Sequence, residues 1–191
     1  MKLYSVVSVI IFWCGLENTY SIKPVPQSVE DNYWRDFNGL VPSDAVVGGT
    51  DDNGVSTYIG QFSIPAAYGQ QKSKIHLLPA TIKKGSVNTY APYYGRVVYS
   101  NQTNVKILCG SYTSRYKWYS MTSTFPTNCR FVVTGEEDQS LMYTGKATVG
   151  KEVITGKIFS DSLNHQPGLI IPLSNGQVSI LDNYEVLTYC Y

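Results

Sequence analysis

The stretch Ala45-Val46-Val47-Gly48-Gly49-Thr50-Asp51-Asp52-Asn53 carries a β-branched run into glycine and then into an acidic loop. It has a counterpart downstream, Phe131-Val132-Val133-Thr134-Gly135-Glu136-Glu137-Asp138, and reading the two together decides the fold. Each is followed by a Tyr-x-Gly segment, Tyr58-Ile59-Gly60 or Tyr143-Thr144-Gly145. Each is preceded by a Trp and a Pro (Trp34 and Pro42; Trp118 and Pro126), and each leads to a Gly turn at Gly95 or Gly176. A closing strand ends each copy, Val105-Lys106-Ile107-Leu108 or Tyr184-Glu185-Val186-Leu187. Two long copies of one ordered pattern indicate a duplicated domain, since a solenoid needs three or more short repeats.

Within the copies, Val, Ile, Thr and Tyr recur in short alternating runs such as Arg96-Val97-Val98-Tyr99 and Gln177-Val178-Ser179-Ile180-Leu181. Gly, Asn, Asp, Ser and Pro clusters separate them, the pattern of strands and turns. No dozen-residue stretch spaces its apolar positions three and four apart, so no substantial helix is expected. The fold expected is all-β: two tandem homologous repeats packed as one pseudo-two-fold, β-sandwich-like domain, because each repeat alone holds little core. The divisions are residues 1–21, an export signal; 22–32, an extended lead-in with Pro24 and Pro26; 33–109, the first repeat; 110–116, a Tyr-rich connector; and 117–191, the second repeat.

The signal reading rests on Lys2, the apolar stretch from Leu3 to Leu16, and the small residues around Tyr20. That stretch is shorter than the ~20 residues a membrane span needs, and no later stretch is apolar enough. A secreted, extracellular product without a membrane span is expected. The formal net charge of +1 and a single adjacent basic pair, Lys83-Lys84, argue against nucleic acid as a partner.

With Cys14 lost in the signal, Cys109, Cys129 and Cys190 remain as disulfide candidates, an odd number in an oxidising compartment. Cys109 and Cys190 lie just beyond the closing strands of their repeats, in loosely matched positions, whereas Cys109 with Cys129 would close the connector; the sequence does not choose the pairing among the three. A leftover thiol allows a homodimer. Asn101-Gln102-Thr103 is an N-glycosylation sequon, with Asn101 as the acceptor.

The order of motifs resembles the DM-nine repeat family, tandem β-repeats of invertebrate secreted proteins, mollusc mannose-binding lectins and natterin-type toxins. Val47 to Gly54 leading into Tyr58-Ile59-Gly60 looks like the family's first motif, Thr155-Gly156-Lys157-Ile158 like its Gly-Lys motif, and Asn183 to Leu187 like its closing motif. The resemblance implies a carbohydrate-binding protein. In lectin members a loop Asp, the Lys of the Gly-Lys motif and a Glu after the later Gly turn hold the sugar. Asp51 matches the loop Asp, and Glu136 or Glu137 takes its place in the second copy. Lys157 matches the Lys, where the first copy has Thr81. Val97 and Val178 stand where the family has its Glu.

The residue types suit that chemistry: carboxylates and a lysine for vicinal hydroxyls, and 16 tyrosines for the apolar face of a sugar ring. Half-buried sheet positions account for many of those tyrosines. Calcium is not expected, since neither acidic loop alternates its oxygen ligands or ends in a bidentate Glu. The cysteine spacing fits no zinc pattern. No nucleophile elbow, P-loop or dinucleotide fingerprint occurs, and His76 and His165 are expected as surface loop residues. The reading is a non-enzymatic, cofactor-free glycan-recognition protein, its ligand mannose-type or microbial surface sugars, possible in innate immunity. The alternative is a salivary or venom effector acting on a host protein.

Overall fold

The computed structural model describes residues 32–66, 75–101, 104–161 and 167–191. The signal segment, most of the lead-in, His165 and the last two residues of the Asn101 sequon lie outside them. Among the described residues the chain is all-β, with fifteen antiparallel strands in one connected sheet and a single 3-10 turn at Thr113–Arg115. Asn101 itself is exposed in a turn with φ +48°.

In the first copy the strands are β1 (Asn32–Asp36), β2 (Val47–Thr50), β3 (Ser56–Pro65), β4 (Ile75–Lys83), β5 (Tyr90–Tyr93), β6 (Arg96–Tyr99) and β7 (Lys106–Gly110). Those of the second are β8 (Tyr116–Ser120), β9 (Cys129–Phe131), β10 (Val133–Glu137), β11 (Ser140–Val149), β12 (Glu152–Phe159), β13 (Leu169–Pro172), β14 (Val178–Leu181) and β15 (Glu185–Cys190).

The registers repeat. Tyr58 faces Ile82 and Gly60 faces Ala80 in the first copy; Tyr143 faces Ile158 and Gly145 faces Gly156 in the second. Thr81 therefore occupies the place of Lys157, each opposite the central residue of its Tyr-x-Gly segment. Val47 pairs with Tyr58 and Val133 with Tyr143, which makes Asp51 the counterpart of Glu137. Trp34 opposite Leu108 and Trp118 opposite Leu187 complete the match.

The copies are interlocked rather than juxtaposed. Strand β2 joins β12 through Thr50 and Val153, and β10 joins β4 through Glu136 and Leu77. With β3 on β4 and β11 on β12, these joints close a ring of six strands, three from each copy. The motif glycines that both copies share follow from this. A Cβ on Gly49 would stand 1.9 Å from the Val153 carbonyl oxygen, and one on Gly135 2.3 Å from that of Leu77. Likewise Gly60 and Gly145 each leave room for an isoleucine, Ile82 or Ile158, 2.7 Å from where a Cβ would sit. The β-branched run ends in glycine because the other copy's backbone passes there.

One core cluster spans the duplication: Val46, Ile59 and Leu108 from the first copy meet Val132, Leu187 and Tyr189, with Trp34 and Trp118 packed against them. Separate clusters lie under each copy, around Phe62, Leu78 and Ile107 in one and around Leu169, Ile171 and Val186 in the other.

Cys129 is bonded to Cys190, its direct cross-strand partner between β9 and β15. Of the three candidate cysteines, Cys109 is the one left out of the bridge. In the register Cys109 corresponds to Thr188, two residues short of Cys190, and its thiol is free and fully buried. Burial pushes that thiol up to about 11, so bridging to another molecule through Cys109 would require opening the core. The 61-residue separation of the bonded pair corresponds, by loop-closure entropy, to about 4 kcal/mol of stabilisation.

Candidate functional site

Each copy's acidic loop and the residue at the Lys157 or Thr81 position come together with strands of the other copy. The two resulting sites are related by the pseudo-two-fold, and they differ in almost every side chain.

In the second-copy site Lys157, 2% exposed, projects from β12 and donates through Nζ to Oε2 of Glu137, 3% exposed at the end of β10. The ammonium also lies 4.9 Å from the Phe159 ring centre and 5.8 Å from that of Tyr93, within cation–π range. Burial holds its pKa below the ordinary lysine range, opposed by the Glu137 carboxylate. First-copy residues close the site over. His76 on β4, at 2% exposure, has Nδ1 3.1 Å from the Tyr93 hydroxyl and Nε2 3.3 Å from Oδ1 of Asp138. Tyr94 donates its hydroxyl to Oδ2 of Asp138 and stacks edge-on against Tyr93 at 4.5 Å. Desolvation, and then Asp138, push the Tyr94 phenol above its usual range. Tyr94 and Asp138 both have left-handed backbones, φ +44° and +51°, a conformation that bulky residues hold only when their surroundings enforce it. His76, expected in a surface loop, is thus a buried strand residue: its place in β4 puts it on the inward face, between two tyrosines and an aspartate.

In the first-copy site Thr81, 4% exposed, shares a 2.7 Å hydrogen bond with Thr155 across the joint. Asp51 turns its carboxylate into its own loop, where Oδ1 accepts from the amides of Asn53 (3.0 Å) and Val55 (2.9 Å). The residues that close the other site are replaced. By register Lys83 stands for Phe159, Glu152 for His76 and Leu173 for Tyr93, while the Tyr94-Gly95 turn is replaced by the longer Ser174-Asn175-Gly176. The space is left as an open cleft of about 520 Å³. Both copies line it: Tyr90, Tyr99 and Lys83 from the first, Glu152, Ile154 and Leu173 from the second. The Tyr90 and Tyr99 rings are 6.4 Å apart at 54°, and Tyr99 is 58% exposed. Burial, then the negative charges of Glu152 and Asp51, push the Tyr90 phenol up to about 12. Asp51 itself is not among the residues that line the cleft.

Of the residues singled out in the sequence, Lys157 and Glu137 are brought together but buried. Asp51 belongs to the opposite site, and Glu136 is exposed in the joint strand, its neighbour Glu137 turned inward. Lys83, Tyr99 and Glu152 were missed. The signal that could have found Glu152 is its equivalence to His76, which emerges only from the strand register. No three His, Cys, Asp or Glu residues among those described are arranged to hold a metal ion, and no described helix is long and apolar enough to cross a membrane.

No protein-family model and no curated protein matches the chain. Among solved structures it is similar to the nematode sperm cell motility protein MFP2B, with a TM-score of 0.55 and 15% identity. The match covers 94% of this chain and 52% of that one, so the chain spans about half the length of this neighbour. At that identity the likeness concerns the fold.

Proposed function

We propose that the chain is an extracellular, non-enzymatic carbohydrate-recognition protein, and that sugar seats in the first-copy cleft between Tyr90, Tyr99, Lys83 and Glu152. One observation carries this reading: an open cleft of about 520 Å³ pairing tilted tyrosine faces with hydroxyl, amide and charged groups. A sugar ring offers an apolar face and a rim of hydroxyls, and concave sites with aromatic walls and few fixed polar groups match both. Tyrosine serves such a surface at low entropic cost, having only two side-chain torsions to fix. The DM-nine resemblance supports the same class of ligand, mannose-type or microbial surface glycans. The export-signal pattern and the Cys129–Cys190 bond support an oxidising, extracellular setting.

This reading moves the sugar away from Lys157. That lysine already has a carboxylate and two aromatic rings against it, which leaves its charge little left to offer a ligand. Asp51, whose carboxylate is held within its own loop, and Glu136 do not line the cleft.

Glycan-array screening of the purified chain is the test. Binding that falls at least about tenfold in Tyr99→Ala, equivalent to about 1.4 kcal/mol, supports the cleft. Binding lost in Lys157→Ala at retained fold but unchanged in Tyr99→Ala would move the site to the second copy. Silence across the array would refute the carbohydrate reading and favour the protein-directed effector.

A further inference from the structure

The cleft does not end at its own rim. Val149, at the end of β11 and 36% exposed, lines it on one side and on the other lines a second depression of about 490 Å³. That second depression has an apolar floor that includes Ala147 and Ile180, and polar edges at Thr148, Asp182 and Asn183. Asp182 and Asn183 are both exposed, in the turn between β14 and β15. Resting on the carbohydrate reading above, we infer that the two depressions form one groove for an internal stretch of a neutral oligosaccharide, with Val149 as the ridge between subsites.

Size, polarity and charge carry the inference. A site for a drug-sized molecule occupies about 300–1,000 Å³, so each depression exceeds what one sugar ring fills, and the two in series match a chain of several. Their surfaces repeat the same chemistry, a flat apolar patch beside hydroxyl, amide and carboxylate groups, as repeating sugar units require. The tyrosines of the first depression give the stronger stacking, and the aliphatic floor of the second gives a weaker platform. Two carboxylates, Glu152 and Asp182, line the groove against one lysine, Lys83. An anionic chain would meet like charges along its length, so uncharged units are selected and sulfated or sialylated ones rejected.

The experiment is a titration of the full chain with α-mannose and β-1,4-linked N-acetylglucosamine ladders of one to five units, alongside a sulfated oligosaccharide of equal length. Affinity should rise about tenfold or more from one unit to four for the ladder that binds, and the sulfated chain should be weaker than its neutral equivalent. Asp182→Ala with Asn183→Ala, both at exposed positions, should flatten the ladder while leaving the single-unit affinity unchanged. Equal affinity for one unit and four overturns the groove but leaves the cleft standing as a single-sugar site. A sulfated chain that binds tighter overturns the charge selection. Failure of every rung to bind overturns the carbohydrate reading itself and this extension with it.

Discussion

The two halves of the molecule share a backbone plan and differ in what it surrounds. Around Lys157 the space is filled by His76, Tyr93, Tyr94 and Phe159; in the other copy Glu152, Leu173 and Lys83 take the places of His76, Tyr93 and Phe159, a Ser174-Asn175-Gly176 turn replaces that of Tyr94, and the space is open. Neither site belongs to one copy. In the closed one the lysine and its acid come from the second copy and the cover from the first; in the open one the tyrosines come from the first copy and Glu152 from the second. Duplication thus supplied two composite sites. The side chains then made one of them a polar core and left the other as an open cleft.

The comparison is most sharply broken by cutting the same position in both copies. Lys157→Ala strands the Glu137 carboxylate in the interior, and breaking a buried ion pair from one side costs about 3–5 kcal/mol. Thr81→Val removes the hydroxyl's hydrogen bonds to Thr155 and Tyr90, each worth about 1 kcal/mol. Denaturant unfolding at neutral pH should show that difference, and Lys157→Met with Glu137→Leu should recover most of the larger loss, since a packed apolar pair removes both buried charges. Equal destabilisation by Lys157→Ala and Thr81→Val would mean that the closed site is no more a structural core than the open one.

Converting the open cleft into the closed one is the next test. Leu173→Tyr with Ser174→Tyr restores the pair that covers Lys157 in the other copy. Both positions are at or near the surface, so stability should change by less than about 1 kcal/mol, while any ligand of the cleft should lose at least about tenfold in affinity. Calorimetric titration with the best array glycan measures it. Undiminished affinity would show that the ligand sits elsewhere.

These contrasts explain what could be read in the sequence and what could not. The motif glycines were legible because Gly49, Gly135, Gly60 and Gly145 answer to close backbone or isoleucine approach, a demand that leaves only one residue type. The all-β fold followed from them and from the alternating runs. The sites were not legible, because each assembles residues from opposite copies through joints of a single residue pair, Thr50 with Val153 and Glu136 with Leu77. His76 read as a loop residue until its register in β4 turned it inward. Cys109 read as the match of Cys190 until pairing across β3–β7 and β11–β15 moved it to the place of Thr188.

The smallest effect is a difference of sign with pH. Lys157 has a folded-state pKa below the ordinary lysine value of 10.5, so the unfolded chain holds more protons there. Its contribution to stability therefore rises with pH through the window that ends near 10.5. Tyr90 goes the other way. Its phenol is raised from 10.0 to about 12, so the folded chain keeps a proton that the unfolded one releases, and stability falls as pH climbs from 10 towards 12. Measured by urea unfolding between about pH 8 and 10, wild type should gain on the Lys157→Met, Glu137→Leu variant. Above that window it should lose ground to Tyr90→Phe. A flat difference in the first comparison would mean that the ion pair fully offsets the burial of the ammonium, and that the closed site carries its charge at no cost.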